Sequence, residues 1–349
     1  MATHYLYGTI LTNEAVAANN RGDNIGNTTT LQKVFHQDDV HTSVSAEAIR
    51  FALRYRFQLE AVDEVNRSYG YEPETGKLKL LYKDEKRTQW NPNGDKVFID
   101  DDLMGFMDAE AAAKEKEEGI DTNEDADKPK ATSDEEAEKS KTKKKGKPQG
   151  KVTVRPSPLA IGRAVSLRPY RAELSFNCLS GEKVKGKLSL YSAEMHTTEY
   201  QYSFGLNLGD VVKKKHIASL IEAIIDPPPV AGNHSRFAYD FSPASIVLRV
   251  TNAHSSKIQN CFEHDEEKRT YTIARLIDRI ESGDIPASEI IIGGHVAKTE
   301  EGTKLKALDV AVFPGVIAAA NQARKRIAFF GQEYKEVAPI SSETTGGVA

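Results

Sequence analysis

Residues Asn20 to Arg56, NRGDNIGNTTTLQKVFHQDDVHTSVSAEAIRFALRYR, decide the fold that we expect for this chain. The first half of the segment is a polar loop, in which Gly22 and Gly26 allow turns that residues with side chains resist. Before it, the short apolar run Tyr5–Leu11 is rich in β-branched and aromatic residues and predicts a central strand. The expected order is therefore a strand, a polar loop and then a helix.

The second half of the segment predicts an amphipathic helix. Ser43 or Ser45 can cap its first free amides, and Glu47 suits its positive end. Arg50 and Arg54 lie one turn apart on one face. The apolar face consists of Ala46, Ile49, Leu53 and Phe57. Free amides at a helix start with two arginines nearby favour phosphate binding; an ordinary capped helix with a solvated face is the alternative.

The charge of the chain excludes a uniformly basic nucleic-acid binder. The 349 residues have a formal net charge of −4. An acidic stretch, Asp108–Lys139, holds 13 Asp or Glu against 5 Lys, and Lys141–Lys151 adds 6 Lys. All other residues together are therefore also slightly acidic. Any contact with RNA must come from local clusters, helix ends and backbone amides.

Composition and motifs exclude several further classes. No apolar run approaches the roughly 20 residues of a membrane helix, and the start MATHYLY lacks the regions of a signal peptide. Cys178 and Cys261 are too few for a disulfide framework or a cysteine zinc site. We expect a cytoplasmic protein with no membrane partner. Phosphate-binding loops, nucleophile elbows and dinucleotide fingerprints are missing, so we expect no catalytic residue and no cofactor.

The segment HQDDVH, His36–His41, is the sharpest candidate for metal chemistry. Histidines and aspartates this close can bind a divalent ion, and metal-bound water can cut a phosphodiester. Such a site needs three or four converging ligands, and no second cluster in the sequence supplies them. We therefore expect no metal site. The alternative is a polar loop that approaches RNA or leads into the helix.

The next hundred residues predict a hairpin, a short helix and a linker. Gly70–Trp90 alternates turn residues with apolar runs, as hairpins do. Asp100–Asp102 precedes Leu103–Met107. Because three consecutive helical residues cannot all face one ion, we expect these carboxylates to cap the helix and complement its dipole. From Ala109 to Gly150 large apolar residues nearly vanish, which predicts a disordered linker.

The second half predicts an antiparallel sheet with a long hairpin, followed by helices. His216–Ile225 predicts a short apolar helix that stops before the prolines of Pro227–Pro229. In the loop GNHSR, Gly232–Arg236, the amides, His234 and Arg236 can hold a phosphate, and a plain turn is the alternative. The other predicted elements are strands at Ala172–Cys178, Lys187–Tyr191, Tyr200–Leu208, Ser245–Thr251 and Ile290–Ile292, and helices at Tyr271–Ile280 and Gly315–Phe329.

Several segments together resemble one protein family. The loop GDNIGNTTTLQK and the helix VSAEAIR resemble the backbone subunit of type I CRISPR Cascade complexes. This is CRISPR-associated protein family seven, in its DevR-like branch and of type I-B. Three further segments are similar to the same branch, in the same order: FIDDDLMGFM at Phe98–Met107, RPSPLAIGRAVSL at Arg155–Leu167, and Pro227–Val250.

The resemblance implies an α+β fold with a ferredoxin-like palm of the RNA-recognition-motif type, a large helical finger insertion and a β-hairpin thumb. The order of the predicted strands and helices fits this palm. We expect the first palm half at residues 1–68 and the finger insertion at 69–158, with the disordered linker at about 109–150. The second palm half is expected at 159–340, with the thumb at about 179–198, and a tail at 341–349.

The resemblance also implies a subunit that does not cut nucleic acid. Copies of it line up in a helical filament along crRNA, with other Cascade subunits, and present the guide to a target DNA strand. A nuclease is recruited for cleavage, or transposition proteins in transposon-associated systems. The RNA-binding residues expected are Arg21, Asn24, Lys33, Ser45, Arg50, Arg54, Arg163, Arg168, His234 and Arg236.

Two other functions remain open at this point. One is a type III-like backbone subunit with target-RNA endonuclease activity, in which an aspartate after the first strand cuts the target. Asp23 lies in a comparable place, but the DevR-like segments favour type I. The other is a developmental regulator, which only the DevR name suggests.

Overall fold

The computed structural model describes residues 4–18, 21–36, 38–72, 75–94, 96–108, 153–178, 190–231 and 239–329. The helices are α1 (Ala46–Ala61), α2 (Ile99–Met104), α3 (Lys215–Ile225), α4 (Ala274–Glu281), α5 (Glu300–Ala307) and α6 (Val316–Phe329). The strands of the first half are β1 (Tyr5–Thr12), β2 (Ala15–Ala17), β3 (Arg21–Ile25), β4 (Thr28–Leu31), β5 (Lys33–His36), β6 (Asp39–Val44), β7 (Arg67–Tyr71), β8 (Leu78–Tyr82) and β9 (Phe106–Asp108). Those of the second half are β10 (Thr153–Arg155), β11 (Leu159–Ile161), β12 (Ala164–Ser166), β13 (Glu173–Cys178), β14 (Leu190–Thr198), β15 (Tyr200–Asn207), β16 (Pro243–Thr251), β17 (Glu263–Asp265), β18 (Thr270–Thr272), β19 (Ile290–Gly294) and β20 (Ala311–Phe313).

A nine-stranded sheet forms the centre of this α+β fold. Its strand order is β20-β19-β16-β1-β15-β12-β6-β5, and β11 also pairs with β15. Strand β1 lies between β15 and β16 and is antiparallel to both. The prediction of a central strand at Tyr5–Leu11 is confirmed, because apolar residues of β1 are buried on both faces of the sheet.

Three helices cover one face of this sheet. Helices α1, α3 and α6 bury their apolar sides in a single core with β1, β15 and β16. In α1 the buried residues include Ile49, Leu53 and Phe57, which confirms the predicted apolar face. Helix α3 agrees with the prediction at His216–Ile225 and ends at Asp226. Across the described residues, no helix has the length and apolarity needed to span a membrane.

The opposite face of the sheet is covered only in part. Helices α4 and α5 pack there against Val247 and the strand β19. The helix predicted at Tyr271–Ile280 begins later than expected, at Ala274, because Thr270–Thr272 pairs as strand β18. Where these helices do not cover the face, the ring of Tyr7 in β1 lies against Gly205 of β15. A Cβ atom on residue 205 would come 3.0 Å from the tyrosine ring.

A second, five-stranded sheet replaces the predicted polar loop. Its order is β13-β14-β4-β3, and β2 also pairs with β14. The loop prediction was wrong because Thr28–Leu31 is β-branched for most of its length and finds a partner in β14. Only the turn between β3 and β4, at Gly26 with φ of 59°, keeps the predicted glycine conformation. Strands β5 and β6 form a further hairpin before α1.

The three adjacent aspartates do not cap α2. The helix includes Asp100–Asp102, and its N-cap Phe98 makes no side-chain cap bond. Successive helical side chains point in different directions, so each carboxylate reaches another element. Asp100 accepts hydrogen bonds from the backbone amides of Asn66 and Arg67. Asp101 accepts from Nδ2 of Asn66 and Nε of Arg87. Asp102 accepts from the Arg155 side chain and from the amides of Val212 and Lys213, and it is hydrogen-bonded to His216. Helix α2 therefore joins the β7–β8 hairpin, β10 and α3.

Some predicted features lie outside the described residues. These are the linker at 109–150, the tail at 341–349 and the loop GNHSR with His234 and Arg236. Of the expected thumb at 179–198, only the part within β14 is described. Its partner strand β13 pairs antiparallel with β14 from Glu173 to Cys178.

Candidate nucleic-acid interface

The start of α1 is capped by Ser45 and not by Ser43. The Ser45 hydroxyl accepts a hydrogen bond from the Ala48 amide at 3.2 Å, and Glu47 lies in the first turn. Ser43 instead accepts from Nη1 of Arg163 at 3.1 Å, and Arg163 also donates to Gln32 at 3.1 Å. An exposed guanidinium is thus held beside the positive end of a four-turn helix, which suits an anion.

Arg163 also borders a cleft on the partly covered face of the sheet. The cleft has a volume of about 440 Å³ and is lined by Tyr7, Gly162, Gly205, Gln259 and others. We call the start of α1 and Arg163 together the Arg163 surface; the cleft lies next to Arg163 on the opposite face of the sheet. The Arg163 surface combines a cation with the positive end of a helix, which suits contacts to phosphate.

Two of the other predicted RNA-binding residues lie on different sheets, Lys33 on β5 of the nine-stranded sheet and Asn24 on β3 of the second sheet. Lys33 forms an ion pair with Glu194 and lies 4.9 Å from the centre of the Tyr170 ring. Asn24 is exposed on β3. Arg21 begins the same strand, but its side chain is outside the described part of the structure. Lys33 is therefore partly neutralised, and its charge is weaker toward RNA than the sequence suggested.

Arg168 is held by acidic residues. It donates to Glu14 through both terminal nitrogens and to Glu199 through one of them. Glu199 is buried, so this ion pair fixes the end of β12 against β15. The geometry gives Arg168 a structural contact that its sequence position did not indicate.

Arg50 and Arg54 bond to the protein itself more than the sequence indicated. Arg50 donates to the carbonyls of Leu159 at 3.0 Å and Met104 at 2.8 Å. Nε of Arg54 lies 3.7 Å from a carboxylate oxygen of Asp100. Burial is the main cause that lowers the pKa of Arg54, to about 10. Both arginines thus join α1 to its neighbours, whatever else they bind.

The sequence interpretation missed one cation near these two. Arg67, on β7, lies close enough to Arg50 and Arg54 to lower the pKa of each. A single arginine in a predicted hairpin has no pattern that marks it, so only the packing of the hairpin against α1 reveals it.

The histidines of His36–His41 do not converge with other ligands. His41 is buried, and its Nδ1 lies 2.7 Å from the Ser166 carbonyl. Burial lowers the pKa of His41. His36 lies beside it, with ring centroids 5.4 Å apart. Among the residues that the structure describes, no three His, Cys, Asp or Glu side chains are placed to hold a metal.

Comparisons with known proteins decide the family. No established family profile matches the chain. The CRISPR-associated protein Cas7/Cst2/DevR of Myxococcus xanthus (strain DK1622) is 34% identical over 331 residues, which cover 93% of this chain and 97% of that protein. The chain belongs to the Cas7/Cst2/DevR family. The resemblance found in the sequence segments is therefore confirmed for most of the chain.

Solved structures share the fold of this Cas7/Cst2/DevR family member. A chain from a CRISPR RNA-guided surveillance complex in a pre-nicking state superposes with a TM-score of 0.54 at 11% identity, covering 91% of this chain and 98% of that one. A chain from another CRISPR RNA-guided surveillance complex gives a TM-score of 0.49 at 12% identity, covering 91% and 98%, which is too low to support a conclusion.

Proposed function

We propose that this chain is a non-catalytic, guide-RNA-binding backbone subunit of a type I CRISPR complex. Copies of it line up along one crRNA and present the guide for pairing with a target DNA strand, together with other subunits of the complex. Family membership and the fold shared with a surveillance-complex chain support this role. The observation that carries it is the Arg163 surface, where an exposed arginine lies beside the N-terminal end of α1.

The strand order supports a ferredoxin-like palm. In such a palm the fourth strand lies next to the first, followed by the third and second. Strands β16, β1, β15 and β12 have this order, and α1 and α3 lie on one face of the sheet. We assign the finger insertion, at 69–158, to the segment with the β7–β8 hairpin and the antiparallel pair of β9 and β10, and the thumb, at about 179–198, to the segment that ends in β14, whose partner is β13.

The charge of the chain fits binding shared among many copies. A subunit with a net charge of −4 cannot hold RNA by bulk attraction. A few phosphate contacts per copy suffice when one RNA links the copies, because later contacts form at high effective concentration. Contacts to phosphate and backbone shape leave base edges free to pair with a target. Arg163, Ser45 and the amides of α1 can make such contacts, and Lys33 on β5 and Asn24 on the second sheet can extend them.

Replacing Arg163 with glutamine tests this role. Since its described bonds are to the side chains of Gln32 and Ser43, the melting temperature is expected to stay within about 2 °C. RNA affinity is expected to fall, and the slope of log affinity against log salt to flatten by about 0.7, as for one lost single-strand phosphate contact.

Arg275→Gln is the matched control. The Arg275 side chain is 54% exposed, pairs with Glu263 and lies on α4, which packs on the face of the sheet opposite α1. The Arg275→Gln variant should leave the slope of log affinity against log salt unchanged. Equal slopes for wild type and Arg163→Gln, with both proteins folded, would show that Arg163 contacts no phosphate.

A further inference from the structure

Two small cavities lie next to each other where α1 packs against the β7–β8 hairpin. Arg54 of α1 and Arg67 of β7 line both of them. The first cavity, of about 210 Å³, is also lined by Arg87 and by three acidic residues, Glu85, Asp100 and Asp101. The second, of about 130 Å³, is lined by aromatic residues. A polar and an aromatic pocket thus meet at a pair of cations.

The positive charge of this pair is incompletely neutralised. Nε of Arg54 and Nε of Arg67 are both buried without a hydrogen-bond partner. Within the described residues, the Arg67 guanidinium makes no ion pair with a carboxylate. The oxygens of Asp100 already accept from two backbone amides, those of Asn66 and Arg67. Burial, followed by repulsion from Arg67, lowers the pKa of Arg54 to about 10.

Such an arrangement lowers the stability of the free protein. A partly buried cation that lacks a partner has lost hydration without a compensating bond. Proteins leave a buried charge without a partner mainly at functional sites, where a ligand supplies that partner. An anion between Arg54 and Arg67 would bond both and relieve their repulsion.

The aromatic side of the site is held in place. Phe51 is 41% exposed and Tyr69 is 37% exposed, and their rings meet edge to face with centroids 5.1 Å apart. Gln58 fixes the Tyr69 backbone, because it donates to the Tyr69 carbonyl at 2.6 Å and accepts from the Tyr69 amide at 2.7 Å. The Phe51 ring also stacks on Tyr55, with centroids 6.3 Å apart. Partly exposed aromatic rings can stack on nucleobases of any sequence.

We propose that this site binds one nucleotide of a single-stranded nucleic acid, with the phosphate between Arg54 and Arg67 and the base against Phe51 and Tyr69. The inference rests on the proposed function and adds Arg67 and two aromatic residues to the path of the strand. We call this pocket the Arg67 site.

The Arg67 site continues the Arg163 surface along one helix. Arg54 lies about 14 Å along α1 from the Ser45 cap. Between them, Arg50 donates to the carbonyl of Leu159 in β11, the strand that leads to Arg163. We therefore expect one nucleic-acid strand that runs along α1 to contact both the Arg163 surface and the Arg67 site. An acidic protein segment would satisfy the arginines but has no need of the two aromatic faces, so we favour a nucleotide.

The test compares two oligonucleotides and two variants of the full chain. The probes are a short fluorescein-labelled oligoadenylate and an abasic oligomer of the same length. Arg67→Gln is expected to weaken binding of both about fivefold and to flatten the salt slope by about 0.7. Tyr69→Leu is expected to weaken oligoadenylate about tenfold and leave the abasic oligomer unchanged. Arg275→Gln is the control for general charge.

The melting temperature of the RNA-free protein separates a binding role from a structural one. Arg67→Gln removes an unpaired cation, so the temperature should stay the same or rise. A fall of more than about 2 °C would overturn the inference. Wild-type affinities in both variants would overturn it too. If the variants instead lost only association with another subunit, an acidic protein segment would be the occupant and the nucleotide site would be wrong.

These outcomes are distinguishable from failure of the proposed function. If the wild-type protein bound no RNA, the proposed function would fail. If Arg163→Gln weakened binding while Arg67→Gln and Tyr69→Leu did not, only the Arg67 site would fail.

Discussion

Replacing Asp102 with alanine is expected to lower the free energy of unfolding by about 3–5 kcal/mol, a large part of the stability of an ordinary domain. The Asp102 side chain is fully buried, 2.8 Å from Arg155 and 2.8 Å from His216. It also accepts from the amides of Val212 and Lys213, each at 3.0 Å. Its loss leaves these donors unpaired at the point where α2, β10 and α3 meet. Urea unfolding followed by circular dichroism measures the change.

Two variants serve as controls for Asp102→Ala. Asp102→Asn keeps the shape and part of the hydrogen bonding, so its loss should be smaller. Asp278→Ala, at an exposed position of α4, should change stability by less than about 0.5 kcal/mol. A loss below about 1 kcal/mol for Asp102→Ala would contradict the role of this carboxylate as the centre of the junction.

The pH dependence of Asp102 has a definite sign. Burial alone would raise its pKa, but the hydrogen bonds from His216 and the two amides hold the pKa below the usual value. Its stabilisation is therefore fully present above the unfolded pKa of about 4 and is lost as the pH falls through the folded pKa. Asp102→Asn should remove this part of the acid sensitivity.

Replacing Arg50 with alanine is expected to cost about 1–3 kcal/mol of stability, in addition to any effect on RNA. The buried Met104 carbonyl loses its charged donor, and an unpaired buried acceptor costs about this much. The Leu159 carbonyl keeps the Ser157 hydroxyl as a donor at 2.6 Å. Thermal unfolding without RNA measures this loss. Arg163→Gln is the contrasting variant, since it removes a cation with little structural bonding. Equal stability of the two variants would contradict the structural role of Arg50.

The RNA effect of these helix arginines needs conditions in which the variant is folded. When Arg50 and Arg54 are both changed to alanine, two phosphate contacts should be lost. The slope of log affinity for single-stranded RNA against log salt should then flatten by about 1.4. An unchanged slope in the folded double variant would restrict both arginines to joining α1 with α2 and β11.

Local patterns predicted the central strand, α1 and α3. The apolar, β-branched and aromatic composition of Tyr5–Leu11 and the spacing of Ile49, Leu53 and Phe57 are properties of neighbouring residues, so the sequence is enough to recognise them. The polar loop was predicted wrongly because β4, which pairs with β3, also depends on a distant partner, β14. Its glycines marked a turn but not the pairing around it.

The candidate site was harder to predict because charge neutralisation is a long-range property. Asp100–Asp102 contacts residues more than thirty positions away in both directions, and no spacing rule predicts such partners. Arg168 pairs with Glu14, whereas within the described part of the chain Nε of Arg67 is buried without a hydrogen-bond partner. His234 and Arg236 lie outside the described residues and stay predictions.

Binding of a labelled target strand by the assembled, guide-loaded complex tests the central claim most directly. The measurement is one gel, run with magnesium or manganese, that reports both retention and integrity of the strand. We predict retention of a complementary target strand, loss of retention for a scrambled one, and no cleavage by the backbone subunit, with Asp23→Ala behaving as wild type. Failure to retain the complementary strand, or evenly spaced cuts that disappear in Asp23→Ala, would contradict a non-catalytic guide-binding subunit.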